Sequence, residues 1–443
     1  MRGVIRENAA CAFMALVGCA TMAWLGLYGF AWNDYELEAR PALQALTAGH
    51  LSGFLTLAPA YGGSLLERAP FALLPGLWGG GALAVYRMAA LPCLLASAVL
   101  GVWLVARMRS ESRSRLARGV ALAVCVLNPI TLRALELGHP EELLGGSLCV
   151  LAVLLAGCGR GVAAGVVLGL AIANKEWALL AAGPVLMVAP TGSRLRCAGA
   201  AGAVAAALLA PFALAGSGGL VASTRAVASA PSAIFQPWQV WWFFGHHGAP
   251  VHGLFGGVKT GYRTAPQWTG PISHPLIIVV GAALTAALWL LRWPLAARRA
   301  AHSEPARTAA RGGWALPLQD GLLALVLLLL LRCVLDTWDT VYYPLPFVLA
   351  LLGWECTRAS SRPPVLALSA STLVWVSFQW LPLHASADVQ AAFFLAWSLP
   401  LAVALGVRLY APASTPEHPP PQRRRPPAQE TTVSSLGRLV RTS

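Results

Sequence analysis

Four short stretches carry the residue types from which chemistry is made. Trp32-Asn33-Asp34-Tyr35 sets a carboxylate directly after the first long apolar run. A carboxylate held at a membrane–water boundary can act as a general base if packing raises its proton affinity. Left in water, it is a loop acid or a helix cap. Gly138-His139-Pro140-Glu141-Glu142 joins two apolar runs. Proline and acids suit a first helical turn, and His139 with a Glu could also ligate a metal, at a spacing that is not diagnostic. Asn174-Lys175-Glu176-Trp177 holds one of only two lysines in an arginine-dominated chain. Lys175 either pairs with a nearby acid such as Glu176 or serves a function, the default hypothesis for an ionisable residue at membrane depth. Last, Leu331-Arg332-Cys333 leads into Asp336-Thr337-Trp338-Asp339 and Tyr342-Tyr343-Pro344. The aromatics fit an interfacial belt; Arg332 with Asp336, Asp339 and Tyr342 at one helix end is a candidate binding group.

Arg133 joins Lys175 and Arg332 as a cation near an end where the charge pattern disfavours one. Three such cations could converge on an anion such as a lipid phosphate. Trp238, Trp241, Trp242, His246 and His247 lie in one long segment rich in Gly, Pro, Trp and His. They could stack on a sugar or base, or anchor the segment in headgroups. No Walker loop, dinucleotide fingerprint, His-Glu-x-x-His or Cys-x-x-Cys appears, so ATP-driven transport and soluble-cofactor chemistry lack support.

The elements that must position these residues are membrane helices. Of 443 residues, 57% are hydrophobic and 11% charged, against about 25% charged in a soluble protein. Apolar runs of about 20 residues, the length a bilayer requires, recur throughout. The pattern predicts an all-α integral membrane protein of about 12 segments (10–13): 9–31, 81–106, 119–135, 142–157, 162–174, 177–190, 198–215, 275–291, 318–335, 343–357, 364–382 and 390–407. The short ones between 119 and 190 are expected to pack against neighbours rather than lipid. Residues 1–410 form one membrane domain, and the Pro- and Arg-rich residues 411–443 a disordered cytoplasmic tail. The first run reads as an uncleaved anchor, because it stays apolar well past Cys19.

The net charge of +14 comes from arginine clusters between apolar runs, which points to topology rather than nucleic acid. With the N-terminus inside, every cytoplasmic loop carries arginine, and the C-terminus is also inside. Eleven of the 18 acidic residues then fall at exoplasmic ends. Two exoplasmic loops are long, 32–80 and 216–274; the first includes an interfacial helix from Pro41 with Leu43 and Leu46 on its apolar side. None of the nine cysteines falls in these loops, so no disulfide framework is expected.

Together, Asp34 after the first helix, Tyr61-Gly62-Gly63-Ser64, the 138–142 and 174–177 stretches and Arg332 to Tyr343 ahead of Pro344 resemble the GT-C superfamily of membrane glycosyltransferases. The chain looks most like glycosyltransferase family 87, whose donors are polyprenyl-phosphate sugars, over about residues 10–405. The resemblance implies a GT-C-like fold in the plasma membrane and transfer of a sugar, with mannose one candidate, to a glycan or lipid acceptor on the exoplasmic face. It puts the base at Asp34, the donor phosphate at Lys175, Arg332 and Arg133, and substrate contacts at His139, Glu141, Glu176, Asp336, Asp339 and Tyr342. Where many members show Asp-Asp or Glu-Asp, this chain has Asn33-Asp34, which leaves a single base rather than a metal-bridging pair; no cofactor is expected.

Two other readings stand beside this one. A secondary transporter or lipid flippase would have two related halves and polar residues near the bilayer midplane. A non-catalytic membrane scaffold would leave Lys175 and Arg332 without a role.

Overall fold

The computed structural model describes residues 2–28, 34–215, 235–248, 251–252, 258–259, 261–302, 315–358, 360 and 362–411, except for the side chains at 2–8, 27–28, 251–252, 258–259 and 293–302. The tail beyond 411 and residues 216–234 of the second long loop lie outside the described residues.

Helix α1 (Arg2–Tyr28) is followed by a π-helical turn, Tyr35–Ala39, and three short helices, α2 (Arg40–Thr47), α3 (Leu51–Leu57) and α4 (Gly62–Ala72). Then come α5 (Ala82–Ser110), α6 (Arg115–Val126), α7 (Pro129–Leu137), α8 (Glu141–Gly157), α9 (Gly161–Asn174), a 3-10 turn Glu176–Ala181, α10 (Ala182–Val188) and α11 (Arg194–Leu214). After the second loop run α12 (Thr269–His302), α13 (Leu318–Leu335), α14 (Leu345–Thr357), α15 (Val365–Trp375) and α16 (Ala387–Tyr410). The second loop adds two antiparallel pairs of two-residue strands, which the all-helical expectation omitted: β1 (His246–His247) with β4 (Arg263–Thr264), and β2 (Val251–His252) with β3 (Val258–Lys259).

Among the described residues, eight helices are long and apolar enough to cross a membrane: Ala9–Gly26, Ala82–Ser110, Arg115–Leu137, Thr191–Leu214, Thr269–Arg292, Leu318–Leu335, Val365–Leu383 and Ala387–Tyr410. This is the architecture of an α-helical membrane protein. The remaining predicted segments are helices too short to count on length; packing explains α8 and α14, whereas α9 and the stretch after it leave Val162, Val166 and Leu179 exposed. Helix α14 is buried at every position but Glu355, and α8 is buried at all but a few. Such helices face protein on all sides, so the length rule for a lipid-exposed span does not bind them.

The single run expected at 119–135 is broken at Asn128-Pro129. Proline cannot donate to the preceding turn and suits a first helical position. Asn128 Oδ1 accepts from Ile130 N at 2.9 Å, capping α7, and from Ser371 Oγ of α15 at 3.0 Å.

Glycines decide how α9 sits. A Cβ at Gly165 would collide with the Cys197 carbonyl oxygen, one at Gly169 would lie 2.6 Å from that of Ala201, and Gly161 abuts Ser193. Small residues let helix backbones touch in this way. Because the partner numbers rise together, α9 and α11 run side by side in the same direction. The stretch Glu176–Val188 between them must therefore travel back along the whole contact. The expected interfacial helix is α2, with Pro41 in its first turn, Leu43 buried and Leu46 half-buried.

Candidate functional site

A cluster of charged side chains forms where the end of α7, the start of α8, the ends of α9 and α13 and the turn after α1 come together. Two local devices bring its edge into place. Asp34 precedes the Tyr35–Ala39 π-turn, a geometry that recurs at functional sites, and makes no capping hydrogen bond through its side chain. Gly138 closes α7 with φ +92°: Gly138 N donates to Leu135 O at 3.3 Å and His139 N to Ala134 O at 2.8 Å. This paired closure needs a left-handed residue. A Cβ at Gly138 would also lie 2.7 Å from Tyr35 N. One glycine thus ends α7, turns His139 inward and lets the backbone carrying Asp34 approach.

His139 is clamped between two carboxylates, with Nε2 3.1 Å from Asp34 Oδ2 and Nδ1 2.7 Å from Glu141 Oε1. Its ring stacks on Tyr342 at 4.4 Å between centroids, and Tyr342 Oη donates to Asp34 Oδ2 at 3.5 Å. Burial alone would push the imidazole down, but the Glu141 charge and the hydrogen bonds to Asp34 and Glu141 raise it to about 9. At neutral pH it is a cation donating from both nitrogens.

Behind His139 the cluster closes. Glu141 and Glu142 are buried in the first turn of α8. Glu141 Oε2 is 3.5 Å from Arg68 and Glu141 Oε1 3.5 Å from Lys175 Nζ. Glu142 lies 3.6 Å from Lys175 and 3.5 Å from Arg332, and accepts from Trp177 Nε1 at 3.3 Å. Asn174 donates to the Glu141 carbonyl at 2.9 Å. The Arg332 guanidinium sits between Trp177 and Tyr343, at 4.7 and 4.6 Å from the ring centroids, and Lys175 lies 4.3 Å over the Tyr61 ring. Tyr61 Oη donates to Glu38 Oε2 at 2.7 Å.

Exposure falls steadily inward. The Asp34 side chain is 35% exposed, Lys175 11%, Arg332 5% and the two glutamates 0%. Asp34 thus lies at the open edge of the cluster, as does Glu38, which is exposed. Asp34, Glu38, Glu141 and Glu142 face Arg68, Lys175, Arg332 and protonated His139, so the cluster balances in charge. Each of the buried ions is costly alone, and mutual pairing offsets the desolvation.

No protein-family model, curated protein or solved structure matches the chain.

Not every residue singled out from the sequence joins this cluster. Arg133 pairs with Glu136, one turn along its own helix. Glu176 is exposed, and the acids that meet Lys175 are Glu141 and Glu142 instead. Asp336 is tied up locally, accepting from Trp338 N at 2.9 Å and lying 3.7 Å from His274. Asp339 is fully buried and meets none of the cluster's cations at ion-pair distance among the described residues; burial first, then the Asp336 charge, hold it well above the usual carboxylate range. Tyr342 and His139 do meet Asp34, though as its supports.

The tryptophans of the second loop have internal duties. Trp238 donates to Ser377 O at 2.9 Å, Trp241 to Leu335 O at 2.7 Å and Trp242 to Asp388 Oδ1 at 2.8 Å. Arg263 holds the same Asp388 with Nε at 2.8 and Nη2 at 2.9 Å, fastening the strand pair to the start of α16. His246 and His247 are exposed on β1.

Sequence reasoning missed Arg68 and left Glu142 out of the site. Arg68 carries the same signal as Lys175, a cation in a segment assigned to the exoplasmic side. Its neighbour Glu67 hides that signal, because an adjacent opposite charge makes the pair read as a solvated face.

Proposed function

We propose that the chain is a multi-pass membrane glycosyltransferase of GT-C type, moving a sugar from a polyprenyl-phosphate donor to a glycan or lipid acceptor at the exoplasmic face. One observation carries this reading: the half-exposed carboxylate of Asp34 is steered by His139 and Tyr342 beside two cations, Lys175 and Arg332, that share the carboxylate of Glu142.

In this reading the acceptor hydroxyl gives its proton to Asp34 Oδ1, because His139 and Tyr342 both engage Oδ2. The acceptor oxygen forms its bond to the anomeric carbon as the bond from that carbon to the phosphate oxygen breaks. The electron pair leaves with the phosphate. The leaving phosphate gains one negative charge while Asp34 loses one, so the buried cluster sees no net change. Lys175, the more exposed of the two cations, meets the phosphate, and Arg332 backs it through Glu142. Electrostatic stabilisation of a leaving group by fixed cations is a large catalytic term in such water-poor sites. His139 is a positioning residue: it holds one oxygen of Asp34 and leaves the other for substrate.

Arginine placement supports the proposed sidedness. Arg113, Arg160, Arg194 and Arg358 mark the helix ends opposite the cluster, which supports twelve crossings with both termini inside. The same-direction packing of α9 and α11 supports counting Glu176–Val188 as one of them. Cysteine labelling of intact cells tests this: an impermeant reagent reacting within 300–312 but not within 216–230 would reverse the orientation.

A secondary transporter remains the rival, favoured by the Asp34–His139–Glu141 chain, which leads titratable groups from an exposed edge to a sealed interior as a proton relay would. Incubating the purified chain with a polyprenyl-phosphate hexose and membrane-lipid acceptors separates the two. Glycosylated product supports transfer; proton-coupled solute uptake into vesicles without product supports the rival.

A further inference from the structure

At the end of the molecule opposite the charged cluster, a cavity of about 540 Å³ is lined by Arg113, Glu355, Arg358, Arg362, Val365 and Leu366, among others. We propose that it is a binding site for the phosphodiester headgroup of an anionic glycerophospholipid in the leaflet on that side. The chemistry is independent of glycosyl transfer; the naming of that leaflet as cytoplasmic rests on the arginine topology above.

Arg113 is built into the cavity wall. Helix α5 ends with Ser112 at φ +57°, Ser112 N donating to Arg109 O at 2.9 Å and Arg113 N to Met108 O at 3.0 Å. This closure turns Arg113 inward, where it is 6% exposed. Its Nη1 donates to Glu355 O at 3.0 Å and Cys356 O at 3.2 Å, and its Nη2 to Arg362 O. Its Nε has no hydrogen-bond partner among the described residues. Backbone oxygens satisfy geometry here, but they do not cancel the charge.

Other cations crowd the same place. Arg358 stacks on Trp354 at 4.6 Å, and Arg408 approaches that ring at 5.2 Å. Burial, followed by the Arg408 and, more weakly, the Arg113 charge, holds the Arg358 guanidinium below its ordinary value. The acid in the cavity wall, Glu355, is already engaged by Leu366 N at 3.1 Å and Ala367 N at 2.7 Å, capping α15. In the cavity wall Arg113, Arg358 and Arg362 therefore face one carboxylate, a surplus that favours an anion; Arg408 stands behind Trp354, where Asp320 offsets its charge. Basic pockets between membrane helices commonly take lipid phosphates, and guanidinium matches phosphate oxygens with paired donors.

The cavity's apolar side selects a lipid over a free ion. Val365 and Leu366 line it and are exposed, and Leu368 continues the exposed strip along α15. A headgroup in the cavity would thus lay its hydrocarbon chains on an apolar helix face.

The test uses the full chain in phosphatidylcholine nanodiscs with increasing phosphatidylglycerol at fixed ionic strength, read by thermal unfolding midpoint and by lipid retained in native mass spectrometry. The midpoint should rise with phosphatidylglycerol, and Arg358→Gln and Arg362→Gln should each require about tenfold or more of the anionic lipid for the same rise, the effect of losing one charge-assisted contact. Arg362→Gln alters an exposed side chain while Arg113 is held by the residue's backbone oxygen, so folding should survive. Arg196→Gln, at an exposed arginine elsewhere on that side, should behave as wild type. Equal weakening by Arg196→Gln, no response to phosphatidylglycerol, or the full shift from inorganic phosphate in neutral discs would each overturn the proposal.

Discussion

His139 Nε2 lies 3.1 Å from Asp34 Oδ2, joining residues 105 apart in the chain. The contact turns a loop acid into an oriented one. It also fixes a pH window, since the imidazole is raised from 6.5 to about 9 in the folded protein. The stabilisation from this raised group is complete below its unfolded value, near 6.5, and is lost as pH rises through about 9. Thermal unfolding of wild type should show a falling midpoint on that alkaline side, and His139→Asn should flatten it. A wild-type midpoint indifferent to pH across this window would show that His139 is not held as a cation.

Arg68 is sealed beside Glu141. Arg68→Met keeps much of the apolar stem and removes the charge, leaving Glu141 with fewer cations. Breaking a buried pair costs about 3–5 kcal/mol; with Lys175 and His139 still present, the loss should approach but not exceed that range. Denaturant unfolding in detergent checks it, and an unchanged midpoint would contradict the pairing.

Helix packing gives an internal comparison. Gly165→Ala pushes a Cβ into the Cys197 carbonyl, whereas Gly199→Ala on α11 meets open space. The first should lower stability and protein level. The second should be neutral or stabilising, by up to about 1 kcal/mol, because alanine is the better helix former. Equal behaviour of the two variants would argue against close contact of α9 and α11.

Lys175→Gln should weaken donor use, with KM for the polyprenyl-phosphate sugar rising about tenfold or more, as loss of a charge-assisted contact worth ~1.5–3 kcal/mol requires. Protein level should change far less. Arg133→Gln should leave donor KM unaltered, since Arg133 is paired with Glu136 on its own helix. Equal effects from the two substitutions would remove Lys175 from the phosphate site.

Much of the helical layout was legible because apolar runs and arginine spacing report directly on membrane helices. The short helices α8 and α14 were found where length rules alone would pass over them, since flanking charges marked their ends. Harder to read was pairing. Nothing local distinguishes Arg133, whose acid is one turn away, from Arg332, whose acid is 190 residues away. Glu142 looked like an ordinary first-turn acid and Glu141 like a substrate contact, and both are in that turn; the cations that meet them come from α4, the residue after α9 and α13. The strand pairs of the second loop are too short to leave a periodic signal. Trp242 shows the same limit: its composition suits a sugar platform, while its position makes it the centre of a small core with Phe235 and Tyr262.

The central claim is that Asp34 takes the acceptor's proton. Asp34→Asn retains the shape and both neighbours while removing the base, so the decisive measurement is the rate of sugar transfer from a polyprenyl-phosphate donor by wild type and by Asp34→Asn at matched membrane level, with Glu36→Gln and Glu38→Gln as controls. The expected result is a fall of about 10²–10⁴-fold for Asp34→Asn, the usual worth of general base catalysis, with donor binding retained. Undiminished transfer by Asp34→Asn would contradict it.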